Sequence, residues 1–171
     1  MMGRSYQEGS TLIVCLVFLL ILTLIGLNSI QTSTLQEQMA GAARDFNSAF
    51  QAAELGLRGG ESYLELASLG GFDGSGGRYM VCANPDSTAT QCVIPSWKTR
   101  SSTGWVVLEE VNGISAQPQY IIEKFRGYED MDAPLDADVA KRKIEVYRIT
   151  ARGFGVSDHS MVVLQSTFRR G

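Results

Sequence analysis

An uncharged apolar segment near the amino terminus constrains this chain more than any other feature. Residues 10–30 contain no Asp, Glu, Lys, Arg or His, and the run from Leu12 to Leu27 is almost entirely apolar. A helix of roughly 20 apolar residues is needed to cross the hydrocarbon core of a bilayer. The segment is long enough, so the sequence predicts a transmembrane helix at residues 10–30.

The charges in front of this segment indicate its orientation. Arg4 and the initiator amine precede it, while Glu8 offsets part of their charge. The positive-inside rule therefore predicts a cytoplasmic amino terminus, with the rest of the chain in the periplasm. A cleaved secretory signal peptide is the alternative, but the apolar run is longer than usual and no small-x-small cleavage pattern follows it.

The helix is predicted to continue outside the membrane over residues 31–69. This stretch contains no proline, and Gly70-Gly71 is expected to end it. The Gly59-Gly60 pair could bend or break the helix. Apolar or small residues recur at steps of three or four, as a helical stripe requires: Leu35, Met39, Ala42, Phe46, Ala49, Ala53 and Leu57.

A helix of this length needs more cover than the remaining hundred residues can supply. Its membrane half and the small residues from Ala40 to Ala43 are therefore expected to pack against helices of other chains, because small side chains let helices approach closely. The alternative is a lone tether that holds a periplasmic domain near the membrane.

Residues 70–171 are predicted to form a β-rich globular head. The glycine-rich stretch at residues 70–77 indicates a flexible link. Short segments rich in branched and aromatic residues follow it and are typical of strands: Tyr79–Ala83, Trp105–Val111, Gln119–Phe125, Ile144–Ala151 and Met161–Phe168. The fold class predicted is α+β, in which a long, partly transmembrane amino-terminal helix packs on an antiparallel sheet through Leu55, Leu57, Leu64 and Leu66.

The three cysteines fall into two groups. Cys15 lies inside the apolar run and is interpreted as an apolar filler, whereas Cys82 and Cys92 lie in a polar segment predicted to be periplasmic. An oxidising compartment permits a disulfide between these two, and a ring of this size would stabilise the fold by roughly 3 kcal/mol. A zinc site is the alternative, but the sequence has no CxxC motif and only His159.

Composition argues against several classes of function. The chain has 15 Lys+Arg against 18 Asp+Glu and no basic cluster, so nucleic-acid binding is not expected. No serine elbow or two-histidine motif is present, so we expect neither an enzyme nor a cofactor. The acidic residues Glu129, Asp130, Asp132, Asp136 and Asp138 suggest a weak calcium site, but a solvated loop is the favoured interpretation.

Two parts of the chain resemble the PilX-type minor pilins of type IV pili. The first is EGSTLIVCLVFLLILTLIGLNSIQTSTLQEQMAG with ARDFNSAFQAAELGLR behind it, and the second is VYRITARGFG followed by VVLQSTFRR. The resemblance implies a pilin-like fold. It also implies that residues 1–9 are a prepilin leader, cut between Gly9 and Ser10, and that the new amino terminus on Ser10 is methylated.

The sequence departs from the wider pilin pattern at one informative position. Pilins similar to the main fibre subunit carry a glutamate at the fifth residue after the cut, and here that residue is Val14. A valine cannot pair with the amino-terminal ammonium of a subunit above it. The hypothesis that follows is a subunit at or near the pilus tip that enters assembly first. The sequence also lacks a helix-kinking proline in the membrane half.

The function expected from the resemblance is structural: a minor pilin that primes pilus assembly and supports twitching motility. Its expected partners are other minor pilins, the major pilin, a tip adhesin and, before assembly, the lipid of the inner membrane, which the chain crosses once before joining the pilus at the cell surface. A type II secretion minor pseudopilin is one alternative. A membrane-anchored ligand-binding module is the other.

Overall fold

The computed structural model describes residues 10–84, 86–109, 111–129 and 143–170, which divide into two compact units with a boundary between Ala43 and Arg44. The elements in chain order are α1 (Ser10–Leu64), β1 (Arg78–Met80), β2 (Val106–Val107), β3 (Gln119–Lys124), β4 (Tyr128–Glu129), β5 (Lys143–Phe154) and β6 (Met161–Arg170). One long apolar helix and a sheet of short and long strands confirm the predicted α+β class.

The sheet is built around β5, which pairs antiparallel with β3 on one side and with β6 on the other. β2 also pairs antiparallel with β3, but β1 runs parallel to β3, with Arg78 opposite Ile122. The sheet is therefore mixed: β2, β3, β5 and β6 pair antiparallel as predicted, and β1 is the exception to the predicted antiparallel sheet. A long connection joins β1 to β3 through β2, and parallel neighbours require such a crossover.

The carboxyl-terminal part of α1 packs on this sheet within the second unit. Leu64 joins a core of buried residues from β3 and β5, among them Tyr120, Ile122, Tyr147 and Ile149. Small residues bring the helix and sheet backbones close together elsewhere: a Cβ built on Gly153 would lie 2.1 Å from the Ala53 nitrogen. Glycine is required at this crossing because no side chain fits between the two backbones.

Two of the four leucines predicted to cover the sheet do not reach it. Leu57 and Leu64 pack in the core, but Leu55 and Leu66 are 41% and 52% exposed. The reason is the helical periodicity: the face that contacts the sheet contains Ala49, Ala53 and Leu57, and Leu55 lies on a different face of the helix. Leu66 lies beyond the end of α1.

The helix ends at Leu64 rather than at Leu69, and the chain beyond it is held by side chains of the head. Arg170 in β6 donates from Nη2 to the Leu66 carbonyl at 2.8 Å, and the Gly70 amide donates to the Tyr63 hydroxyl at 3.2 Å. A continuing helix would have joined these two backbone groups to each other. Gly59 and Gly60 stay helical, and a Cβ on Gly60 would lie 2.6 Å from the Ile149 side chain.

The predicted strands occur in the predicted places, with different lengths. β3 spans Gln119–Lys124, close to its expected bounds, whereas β2 is only Val106–Val107. β5 extends three residues further than expected, through Arg152, Gly153 and Phe154, because β6 pairs with all three of them, and β3 also pairs with Arg152.

Candidate functional site

The apolar surface of α1 in the first unit is the largest candidate site. From Leu12 to Ile30 every large hydrophobic side chain is exposed, by between 46 and 72%. By its length and composition α1 is long and apolar enough to cross a membrane, and its first charged residue is Glu37. Continuous apolar surface of this extent needs cover from lipid or from other helices.

Two polar side chains within this surface, Thr23 and Asn28, bond to the helix itself. Asn28 donates from Nδ2 to the Leu24 carbonyl at 3.0 Å, and the Thr23 hydroxyl donates to the Leu19 carbonyl one turn earlier. Such back-bonding satisfies polar groups without water. These two side chains therefore suit a dry environment.

Val14 lies on this surface and is 49% exposed. Neighbouring side chains on the same helix, including Ile13, Val17 and Phe18, are also apolar. The helix from residue 10 to residue 36 carries no carboxylate. Position 14 therefore offers packing area to a neighbour and no ion pair.

The described residues begin directly after the predicted cleavage site between Gly9 and Ser10. Gly9 lies outside the described residues, and Ser10 is the first residue of α1. The calcium candidates Asp130, Asp132, Asp136 and Asp138 also lie outside them, with only the backbone of Glu129 described. Within the described ranges, no group of three His, Cys, Asp or Glu residues could hold a metal ion.

The predicted helical stripe divides into an exposed part and a buried part. Ala49 and Ala53 are fully buried under β5 and β6, and Leu57 is half-buried against the core. The remaining members of the stripe are exposed: Leu35, Met39, Ala42 and Phe46. One periodic pattern thus serves both the contact with the head and a surface open to other chains.

Hydrogen bonds to Asp45 join α1 to the turn between β5 and β6. The Asp45 Oδ1 accepts the Ser157 amide at 2.9 Å, and its Oδ2 accepts the hydroxyls of Ser160, at 2.6 Å, and of Ser157. These hydrogen bonds, led by those from Ser157, lower the pKa of Asp45 to about 2. The sequence alone did not indicate this role, because the partners of Asp45 lie more than a hundred residues away.

Arg152 in β5 holds the loop at residues 99–102 against the sheet through hydrogen bonds. Its guanidinium is fully buried and, among the described residues, donates to neutral oxygens: the side-chain oxygen of Gln119, the carbonyls of Thr99, Arg100 and Ser102, and the Ser102 hydroxyl. Its charge also lies 4.2 Å from the centre of the Trp105 ring. An arginine inside an apolar strand was the sequence signal that could have revealed this anchor.

Arg100, in the same loop, binds the turn between β5 and β6 that also binds Asp45. Its Nη1 donates to the Asp158 carbonyl at 2.9 Å, its Nη2 donates to the Ser115 hydroxyl at 2.8 Å, and it forms an ion pair with Asp158 at 3.1 Å. The helix, the turn and the loop are consequently joined through side chains. These bonds hold the carboxyl-terminal part of α1 to the head within the second unit.

The predicted disulfide between Cys82 and Cys92 is present, with a Cα–Cα distance of 5.6 Å. It closes a loop that also lies against the glycine-rich link: a Cβ on Gly74 would come 2.4 Å from the Thr90 carbonyl. This loop continues into an exposed apolar stretch with Val93, Ile94 and Trp97.

Comparisons with known protein families match nearly the whole chain. A family model described as PilX N-terminal matches residues 8–58. A second, described as Type IV pilus assembly protein PilX C-term, matches residues 73–170, which is more than half of the chain. No curated protein and no solved structure gives a significant match.

Proposed function

Because the chain belongs to the PilX family of type IV pilus minor pilins, we propose that it primes assembly of the pilus and occupies a place at or near the tip. Family membership makes it a structural component that works with other pilus subunits. Beyond family membership, we propose that the subunit enters the pilus early and that other subunits cover α1 there.

The exposed apolar surface of α1 between Leu12 and Ile30 carries the proposal. In lipid this surface anchors the subunit in the inner membrane as a single-pass protein. When the subunit is extracted, the same surface packs among the helices of neighbouring subunits, where close-packed side chains replace lipid tails. The exposed residues Leu35, Met39 and Phe46 extend the contact beyond the membrane.

Val14 supports early entry. An intramembrane carboxylate costs several kcal/mol unless it is paired, so a subunit that docks beneath another gains from a glutamate that meets the terminal ammonium above. The first subunit has nothing above it and would hold an unpaired charge. Valine at position 14 suits that place.

The same account predicts processing and location. Cleavage after Gly9 and methylation of Ser10 would produce the mature amino terminus, and replacing Gly9 by a bulky residue should leave the leader attached. The disulfide between Cys82 and Cys92 supports a head in the oxidising periplasm. The proposed partners are other minor pilins, the major pilin and a tip adhesin.

A charge introduced at position 14 tests the proposal. Val14→Glu and the matched apolar variant Val14→Leu are expressed in a deletion strain, and pili are counted by electron microscopy together with a twitching assay. We expect Val14→Glu to reduce piliation, because an unpaired carboxylate within the membrane-spanning segment is costly, and Val14→Leu to restore it.

Normal piliation and normal tip placement with Val14→Glu would remove the argument for early entry. A role in type II secretion predicts a different phenotype: the deletion strain would twitch normally and fail to secrete. A ligand-binding module predicts intact pili in the deletion strain.

A further inference from the structure

We propose that β6 is a docking edge for an extended segment of another polypeptide, which adds to the sheet as a further strand and places an apolar side chain in a groove beside Trp97. This inference concerns the head alone. It does not depend on where in the pilus the subunit sits.

The edge of β6 is open in the part of the chain that the structure describes. β6 pairs with β5 from Glu145 opposite Arg170 to Phe154 opposite Met161, and no described strand pairs with its other side. An open edge presents a row of backbone donors and acceptors that another strand can use.

The hydrogen-bond pattern shows which residues of β6 face outward. The Phe125 amide donates to the Val146 carbonyl, so Val146 directs its backbone groups toward β3. Residues of an antiparallel strand alternate in this direction, so Tyr147, Ile149 and Ala151 face β6. Their partners in β6 therefore face β5: Phe168, Ser166 and Leu164.

The intervening residues of β6 direct their backbone groups to the open edge. They include Val163, Gln165 and Thr167, which alternate with the inward-facing set. In the middle of β6, these three residues offer three amides and three carbonyls to an added strand.

A groove lies beside the same residues. It is lined by Trp97, Val163 and Gln165 and has a volume of about 430 Å³. The Trp97 side chain is 44% exposed. A bound segment could cover this exposed area, and burial of an indole contributes strongly to binding. Side chains opposite Val163 or Gln165 on an added strand would stand on this face of the sheet and reach the groove.

The middle of β6 lacks the usual devices that protect an edge. Natural edge strands are often short, or carry lysine, proline or inward charges. β6 has ten residues without lysine or proline, and its two arginines are its last two residues. An edge that is long and unguarded suits a strand that binds it.

The chemistry of the edge and groove specifies the occupant. A helix or a lipid surface would leave the outward backbone groups of β6 without hydrogen bonds, whereas an extended backbone satisfies them. The Lys98 ammonium lies 5.1 Å from the centre of the Trp97 ring. The partner segment therefore carries an apolar side chain for the groove and a carboxylate near it for Lys98.

A synthetic peptide tests this edge directly. The probe has eight residues of serine and threonine, with one leucine and one glutamate two residues apart so that both face the groove. The full chain in nanodiscs is titrated with fluorescent probe, and hydrogen exchange is measured at individual amides. We expect saturable binding and slower exchange at the amides of Val163, Gln165 and Thr167.

Thr167 offers a matched pair of variants. Thr167→Pro removes one outward N–H while the bonds to β5 remain, which an edge strand tolerates, and Thr167→Val keeps that donor. We expect Thr167→Pro to weaken probe binding by about tenfold and Thr167→Val to leave it unchanged. Trp97→Ala, which leaves the strand intact, should weaken it by about thirtyfold.

Three results would overturn the proposal. The first is no saturable binding below about 1 mM probe. The second is binding that neither Thr167→Pro nor Trp97→Ala weakens. The third is concentration-dependent protection of the outward amides without probe, because a second copy of the chain would then occupy the edge. Circular dichroism of each variant confirms that the head is folded.

Discussion

Replacing Gly153 by alanine tests the packing of α1 on the sheet. A Cβ at this position would lie 2.1 Å from the Ala53 nitrogen and 2.3 Å from the Ala49 oxygen, whereas ordinary contact begins at 3.4 Å. Both atoms belong to the helix backbone, so no side chain can rotate away. The helix would have to withdraw from β5 by roughly 1 Å or more to admit the methyl group.

The cost of this withdrawal follows from the contacts it opens. A gap of about 0.5–1 Å forfeits a quarter to a half of the attraction between packed atoms, and Ala49 and Ala53 are fully buried at this crossing. Inserting extra carbon into a tightly packed site costs about 1–3 kcal/mol, and more where the neighbours cannot move. We expect Gly153→Ala to lower the free energy of unfolding by about 3 kcal/mol.

The assay is urea unfolding of the full chain in detergent, followed by near-ultraviolet circular dichroism of the packed aromatic residues. Gly71→Ala is the control, because a Cβ there would have no heavy atom within 4 Å. The control should change the free energy of unfolding by less than about 0.5 kcal/mol. Equal stability of Gly153→Ala and the unmodified chain would refute the close crossing of helix and strand.

Three further predictions concern the bonds that hold the head together. Asp45→Asn should destabilise the head at neutral pH. In the unmodified chain, hydrogen bonds lower the folded-state pKa of Asp45 from 3.8 to about 2. The difference in free energy of unfolding between the two chains should therefore shrink as the pH falls from about 4 toward 2, which unfolding measured across pH would show. Arg152→Lys should lower the free energy of unfolding by about 2–4 kcal/mol, since an ammonium cannot replace the buried guanidinium's planar set of donors; unfolding equal to that of the unmodified chain would contradict this anchor. Replacing both Cys82 and Cys92 by serine should lower it by about 2–3 kcal/mol under oxidising conditions and have no effect under reducing conditions.

The main elements could be predicted from the sequence because their patterns are local. The apolar run from Leu12 to Leu27 predicts the long helix, and the segments rich in branched and aromatic residues predict the strands. The disulfide was also predictable, since Cys82 and Cys92 are the two cysteines outside the apolar run. These features depend on residue type and spacing, which a sequence displays directly.

The features that were missed depend on contacts between distant residues. The early end of α1 depends on Arg170, which binds the Leu66 carbonyl from more than a hundred residues away. The parallel pairing of β1 depends on the path of the connection to β3, and the role of Asp45 depends on a turn at Ser157. Periodicity records none of these contacts.

The central claim is that this helix is stored in lipid and then buried among other subunits of a pilus. Mass spectrometry of sheared, purified pili tests it most directly, with the amino-terminal peptide measured alongside the total protein. The account predicts that the chain is present in pili and that its first peptide begins at a methylated Ser10. Pili that never contain this chain, made normally by cells that lack it, would contradict the account.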